Sequence, residues 1–300
     1  MSSDAQLPGN VIIFGPDGNC TLDLCPIEWS VYKYQPNLAA NIIFIVIYAI
    51  AMGVHVYLGF RWRAWWYMVF MMLGCIVEII GYIGRILMHY NPFSFPGFMI
   101  QIVFVTSGPV FYTAAIYVTL AKTIQYLAPE VSRIKPNLIW WIFIPADMVC
   151  LTLQAAGGAL STVSEGSSQN GVDIAMAGLA LQVIVLFVFC VLMTDYLIRY
   201  FRSKPTNALS SRMRLFFGFL AAAVLMILGR CAYRCYELSE GYQDSTVITD
   251  EGLFIGLEGV LIIIAVFCLC IGHPGFVFNE KAMLVNSRQT SDGEGTFESK

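Results

Sequence analysis

Residues 65–88 read WWYMVFMMLGCIVEIIGYIGRILM, an apolar run broken only by Glu78 and Arg85. At 1.5 Å per residue such a run exceeds the ~30 Å hydrocarbon core of a bilayer. A charge exposed to lipid costs at least about 2.5–3.5 kcal/mol on insertion scales, so Glu78 and Arg85 must face protein or a watery cavity. Glu78, Gly81, Tyr82 and Arg85 stand at i, i+3, i+4 and i+7, which places them on one helical stripe. A carboxylate and a guanidinium two turns apart cannot pair fully with each other, so each is expected to find a partner on another helix. Gly81 and Gly84 allow that neighbour to come close.

Six more apolar stretches surround this one, at 38–60, 98–121, 138–160, 173–198, 213–236 and 251–272. The 300-residue chain is 58% hydrophobic and 12% charged, with a mean hydropathy of +0.69. Soluble domains run near a quarter charged, and a soluble fold this apolar could not cover its own surface. Pro36, Pro96 and Pro136 stand just before three of the stretches, where proline suits a helix start. The sequence predicts an all-α membrane protein, a seven-transmembrane helix bundle over 36–275.

Arginine and lysine orient it. Arg61 and Arg63; Lys122, Arg133 and Lys135; Arg199, Arg202, Lys204, Arg212 and Arg214; and Lys281, Arg288 and Lys300 fall on one side of the alternating spans. Only Lys33 falls on the other, and the remaining arginines, Arg85, Arg230 and Arg234, lie inside spans. This split predicts an N-terminus outside and a C-terminus in the cytosol. Residues 1–35 are polar and hold no cleavable signal peptide, so the first span is expected to act as its own insertion signal. Within that extracellular segment, Asn19-Cys20-Thr21 is a glycosylation sequon at Asn19, and Cys20 and Cys25 can form a disulfide. The other seven cysteines fall in spans and read as small packing residues. Residues 276–300, ending TSDGEGTFESK, read as a disordered cytosolic tail. No internal repeat of the inverted-transporter kind is visible.

The other spans repeat the striping of the second. Asp147 and Gln154 are seven apart in the fourth, ahead of Gly157-Gly158. Gln182 follows Gly178 in the fifth, and Arg230, Arg234 and Glu237 are stacked in the sixth. Glu251 and Glu258 are again seven apart in the last. Three arginines against Glu78, Asp147, Glu237, Glu251 and Glu258 make the inventory acidic. Together with Tyr82, Gln154 and Gln182 these residues are expected to line a polar cavity opening toward the outer leaflet. Paired charges that only fix helix register are the alternative. Asp195 beside Arg199 reads as a paired helix-end residue, and His55, His89 and His273 as satisfied histidines near helix ends.

These stripes carry a resemblance. Tyr34-Gln-Pro36-Asn37 with Asn41 and His55, Glu78-x-x-Gly81-Tyr82-x-Gly84-Arg85, Pro109 with Ala114-Ala115-Ile116-Tyr117, and Asp147 with Gln154-x-x-Gly157-Gly158 come first. Gly178-Leu179-x-x-Gln182, Arg230-x-x-x-Arg234-x-x-Glu237, Glu251 and His273-Pro274-Gly275 follow in order. Over about 30–275 the chain resembles the fungal lipid-translocating exporter family, seven-span proteins linked to aminocholesterol resistance and sphingoid-base release. One departure stands out: Glu258 occupies a place where the family often has aspartate. The resemblance implies movement, efflux or sensing of amphipathic molecules such as sphingoid long-chain bases, sterol-like amphiphiles and, in one branch, porphyrins, in a plasma membrane or another endomembrane such as the vacuole or ER.

Other classes fit poorly. No D/E-R-Y or N-P-x-x-Y stretch supports a G-protein-coupled receptor, and 251–272 lacks the lysine a retinal Schiff base needs. Three scattered histidines do not make a zinc hydrolase, and no nucleophile elbow or phosphate loop is present. The chain is therefore read as a non-enzyme with no cofactor, no metal and no nucleic-acid partner. Its expected partners are membrane lipids and amphipathic small molecules, with a lipid sensor regulating a membrane-stress response as the alternative to a transporter.

Overall fold

The computed structural model describes residues 11–16, 18–163, 169–203, 211–239 and 250–275. The predicted tail, 276–300, lies outside them. The backbone forms α1 (Leu38–Trp62), α2 (Trp65–Tyr90), α3 (Phe95–Leu127), α4 (Pro136–Val163), α5 (Gln169–Ser203), α6 (Ser211–Ser239) and α7 (Glu251–Ile271). All seven are long and apolar enough to cross a membrane, which makes this a multi-pass membrane protein. Most run past the expected spans, α3 as far as Leu127, because hydropathy marks only the part of a helix that lipid covers. Caps set several starts. Asn37 Oδ1 accepts from Ala40 N–H at 3.1 Å ahead of α1, and Ser94 Oγ accepts from Gly97 N–H at 3.2 Å ahead of α3.

Each helix packs on its sequence neighbours, α7 closes the ring against α1, and α3 touches α6 across the middle. That ring explains why α3 is the most enclosed helix. Glycines set the spacing of α2 and α3. A Cβ on Gly81 would lie 3.0 Å from the Val105 backbone nitrogen, and one on Gly84 would lie 2.7 Å from that of Gln101. Large apolar side chains such as Ile43, Phe187 and Leu225 remain exposed on the outside of the ring, as lipid-facing surface must be.

Two features are not visible in helical periodicity. Residues Phe254–Val260 of α7 are wound as a π-helix, the wider coil that tends to mark functional sites. In addition, the N-terminal segment folds over the α2–α3 end. Phe14 packs edge-on against Phe95 and Phe98 at 5.6 and 5.3 Å, and Cys20 is joined to Cys25 in a disulfide beside buried Phe93.

Candidate functional site

The buried polar residues gather into one large network and two separate sets. At the centre, Arg230 on α6 donates to Glu258 Oε1 at 2.6 Å and to the Val105 carbonyl at 2.8 Å. One turn on, Arg234 Nη1 bonds Glu237 Oε2 at 2.7 Å and lies 3.6 Å from Glu258 Oε2. Glu258 thus stands between two guanidiniums, and the π-winding of α7 is what carries it there. The seven-residue spacing of Glu251 and Glu258 is therefore not two ordinary α turns.

Glu251 pairs with Arg85 at the end of the bundle where α1 and α7 begin. Its Oε1 accepts from Asn37 N–H at 2.6 Å and sits 3.6 Å from Arg85 Nη2. Arg85 also donates from Nε to Asn41 Oδ1 and from Nη2 to Tyr34 OH, each at 3.2 Å. Its guanidinium lies 3.8 Å from the Phe254 ring centroid, a cation–π geometry. The expected partners of Arg85 on other elements are present: α1, α7 and the N-terminal segment. Burial raises the Tyr34 hydroxyl above the usual tyrosine range, with the Arg85 charge opposing, so this phenol stays protonated.

Glu78 lies fully enclosed on α2, acted on by the charges of Arg230 and Glu258. Its carboxylate rests on Gly108 so closely that a methyl group there would collide with it. Tyr82, one turn further, packs against Phe44 at 4.9 Å and Tyr48 at 5.8 Å. The Tyr48 and Tyr82 hydroxyls and Glu78 Oε1 are buried without a protein hydrogen-bond partner, a pattern that ordered water or a ligand would satisfy.

Asp147 and the two glutamines stand apart from this network. Asp147 Oδ2 accepts from Thr113 Oγ1 and Tyr117 OH, each at 3.0 Å. Gln154 Nε2 donates to Gln182 Oε1 at 2.7 Å, bridging α4 and α5. Beside that bridge, Ile102, Thr106, Leu151, Gln154, Leu179 and Arg234 help line a cleft of about 50 Å3. A space of this size admits water molecules. Two of the eleven expected cavity residues line this cleft. Gln154 and Arg234 reach the cleft wall, Glu237 and Glu258 bond to Arg234 behind it, and the rest are packed. Arg230 and Arg234 pair directly with Glu258 and Glu237 at this depth, since an unpaired buried guanidinium costs several kcal/mol.

Of the remaining polar residues, Asp195 bridges Arg133 and Arg199 at 3.3 and 3.1 Å. His89 Nδ1 meets the Pro36 carbonyl at 2.7 Å, and His55 Nε2 lies 3.4 Å from that of Val266. Asn19 is exposed, and its Oδ1 accepts from Ile12 N–H at 3.0 Å. Among the described residues no three His, Cys, Asp or Glu side chains stand together as a metal site. Reading the spans alone missed Tyr34, Asn41 and Phe254 as partners of Arg85, Asn37 as a partner of Glu251, and Thr113 and Tyr117 as partners of Asp147. The polar run Tyr34-Gln-Pro36-Asn37 just before α1 was the one available signal.

The ordered stripes and this network coincide with a family model described as RTA1 like protein, which matches residues 71–281. The chain belongs to this family. Among its relatives is the sphingoid long-chain base transporter RSB1 of Saccharomyces cerevisiae, 33% identical over 82% of this chain and 74% of that one. Protein RTM1 of the same yeast is 28% identical over 66% of this chain and 64% of its own. The lipid-translocating exporter-like protein RTA1 of Leptosphaeria maculans is 25% identical, covering 83% of this chain and 52% of the relative. RSB1 and the Leptosphaeria maculans protein are named as a transporter and an exporter-like protein, not as enzymes. No solved structure matches the chain.

Proposed function

We propose that this protein moves cationic amphipathic lipids, sphingoid long-chain bases first among them, across the membrane. Sterol-like amphiphiles and drugs that carry an amine are further members of the same chemical class. The observation carrying this reading is that Arg234 belongs at once to the cleft wall and to the buried ion network. A sphingoid base entering there brings an ammonium group that competes with Arg234 for Glu237 and Glu258, while its chain stays against Ile102, Leu151 and Leu179. Passage requires the cleft to widen, and the Gln154–Gln182 bridge between α4 and α5 is the polar contact that must part. The yeast relative named as a sphingoid long-chain base transporter supports the substrate class.

In this reading the N-terminus lies outside, with Asn19 glycosylated, the tail lies in the cytosol, and the protein acts in the plasma membrane in amphiphile resistance. Reconstitution tests it. Liposomes containing only this protein should pass labelled sphingosine faster than protein-free liposomes, and Glu237→Gln should abolish the difference while the protein still purifies as a folded species. Flux equal to that of empty liposomes would sink transport and leave the sensor reading.

A further inference from the structure

At the opposite end of the bundle from Arg85, where α1 turns into α2, the charge has one sign. A cavity of about 390 Å3 opens there against α3 and the end of α7, walled in part by Arg61, Arg63, Tyr67, Thr119, Lys122 and Gly275. No acidic residue lines it among the described residues. Three cations around one hollow repel one another and lower their energy together only when an anion sits between them.

A second feature points to the same ligand. Thr119 is 2% exposed, lines this cavity, and its hydroxyl has no hydrogen-bond partner, which a buried hydroxyl rarely tolerates without something to bond. A third lies at the rim. α2 begins after Ala64 without a side-chain cap, so the first N–H groups of this 26-residue helix lack partners at the corner formed by Ala64 and Tyr67. The fourth wall is held in place by Gly275, which packs directly on the Trp62 ring where a Cβ would collide.

We propose that this cavity binds a phosphate monoester group. Forked guanidiniums, an ammonium, a hydroxyl and helix-start amides are the donor set that doubly charged phosphate oxygens take. Depth favours a lipid headgroup as its source. Trp65 and Trp66 beside the cavity are 50% and 65% exposed, an aromatic belt at the level where headgroups lie. The arginine–lysine asymmetry further assigns this end to the leaflet that carries anionic lipid.

Thermal unfolding of the full chain in phosphatidylcholine nanodiscs, titrated with dioctanoyl phosphatidic acid, tests the proposal. Dioctanoyl phosphatidylcholine and inorganic phosphate run in parallel. Saturable stabilisation by phosphatidic acid is expected, with none from phosphatidylcholine. Arg61→Gln combined with Lys122→Gln should weaken it tenfold or more, and Thr119→Val, which leaves every charge in place, several-fold. Arg133→Gln, outside the cavity, should leave it unchanged. Equal apparent affinity for inorganic phosphate would support the site with free phosphate as its ligand. Unchanged affinity in Thr119→Val and in the double variant, or an equal response to phosphatidylcholine, would overturn the proposal. Should the double variant fail to fold, Thr119→Val decides alone.

Discussion

Arg230 and Glu258 meet at 2.6 Å with both side chains almost completely enclosed. The contact joins α6 to the π-wound stretch of α7, and the Val105 carbonyl of α3 accepts a second hydrogen bond from the same guanidinium. Three helices thus converge on one arginine, and the widened coil of α7 is fixed by an ion pair as well as by its own backbone.

Breaking that pair from one side should be far worse than removing it whole. Glu258→Leu or Arg230→Met alone leaves a buried charge unmatched and should cost about 3–5 kcal/mol, whereas the double variant should recover most of the loss. Thermal unfolding of the three purified variants measures this. If the ion network also receives the ammonium, the stable double variant will still fail to pass sphingosine.

Arg85 is not replaceable by lysine. An ammonium cannot bond Asn41 from Nε while stacking its plane on Phe254, so Arg85→Lys should cost about 1–2 kcal/mol. The effect should be local, because Tyr34 and Asn37 hold the N-terminal segment through this residue and Glu251. Limited proteolysis should cut residues 11–35 sooner in the variant than in the parent protein.

Two glycine substitutions should differ in sign. Gly108→Ala drives a methyl group into the Glu78 carboxylate and should lower stability by about 1–3 kcal/mol. A Cβ on Gly229 meets nothing within 4 Å, so Gly229→Ala should be neutral or gain up to about 1 kcal/mol from helix propensity. Melting temperatures of the pair decide it, and equal losses in both would contradict the α2–α3 packing described above.

Acid should loosen the end of α7. Burial, with His55 adding to it, lowers His273 to about 3, against about 6.5 for the unfolded chain. The folded form therefore binds fewer protons, so its stability is complete above about pH 6.5 and falls as pH drops toward 3. At pH 5 the loss should be about 2 kcal/mol. His273→Gln should flatten the melting profile between pH 7.5 and pH 5, and a slope equal to that of the parent would refute the assignment.

Glycosylation reads the orientation. Asn19 is exposed, and an outside N-terminus places it where the oligosaccharide is added. Glycosidase treatment of the protein from a eukaryotic host should sharpen or shift its electrophoretic band, and Asn19→Gln should remove that response. A parent band insensitive to the enzyme would count against the proposed topology.

Much of this architecture was legible because membrane solvation acts locally. A run such as 65–88 must be helical to satisfy its backbone in lipid, and its 3.6-residue period places Glu78, Tyr82 and Arg85 on one inward stripe whatever the neighbours are. Gly81 and Gly84 announced a close helix, and α3 lies there. The partners were not legible. Whether Arg85 meets Glu251 or Glu237 depends on the relative depth and rotation of separate helices, which no single stripe records. Asp147 takes its hydrogen bonds from Thr113 and Tyr117, residues that look like ordinary members of an apolar span. Likewise, the seven-residue spacing of Glu251 and Glu258 suggested two α turns, and the π coil changed what that spacing means.

The sequence by itself determined seven apolar helices, their inward faces and an excess of buried acid, since each of these follows from transfer energies and the geometry of one helix. Only the tertiary structure decided that the charges close on one another around Arg230 and Glu258, and that Arg234 also lines a cleft beside Gln154. Pairing energy depends steeply on distances of a few ångströms between helices, and packing alone sets those distances.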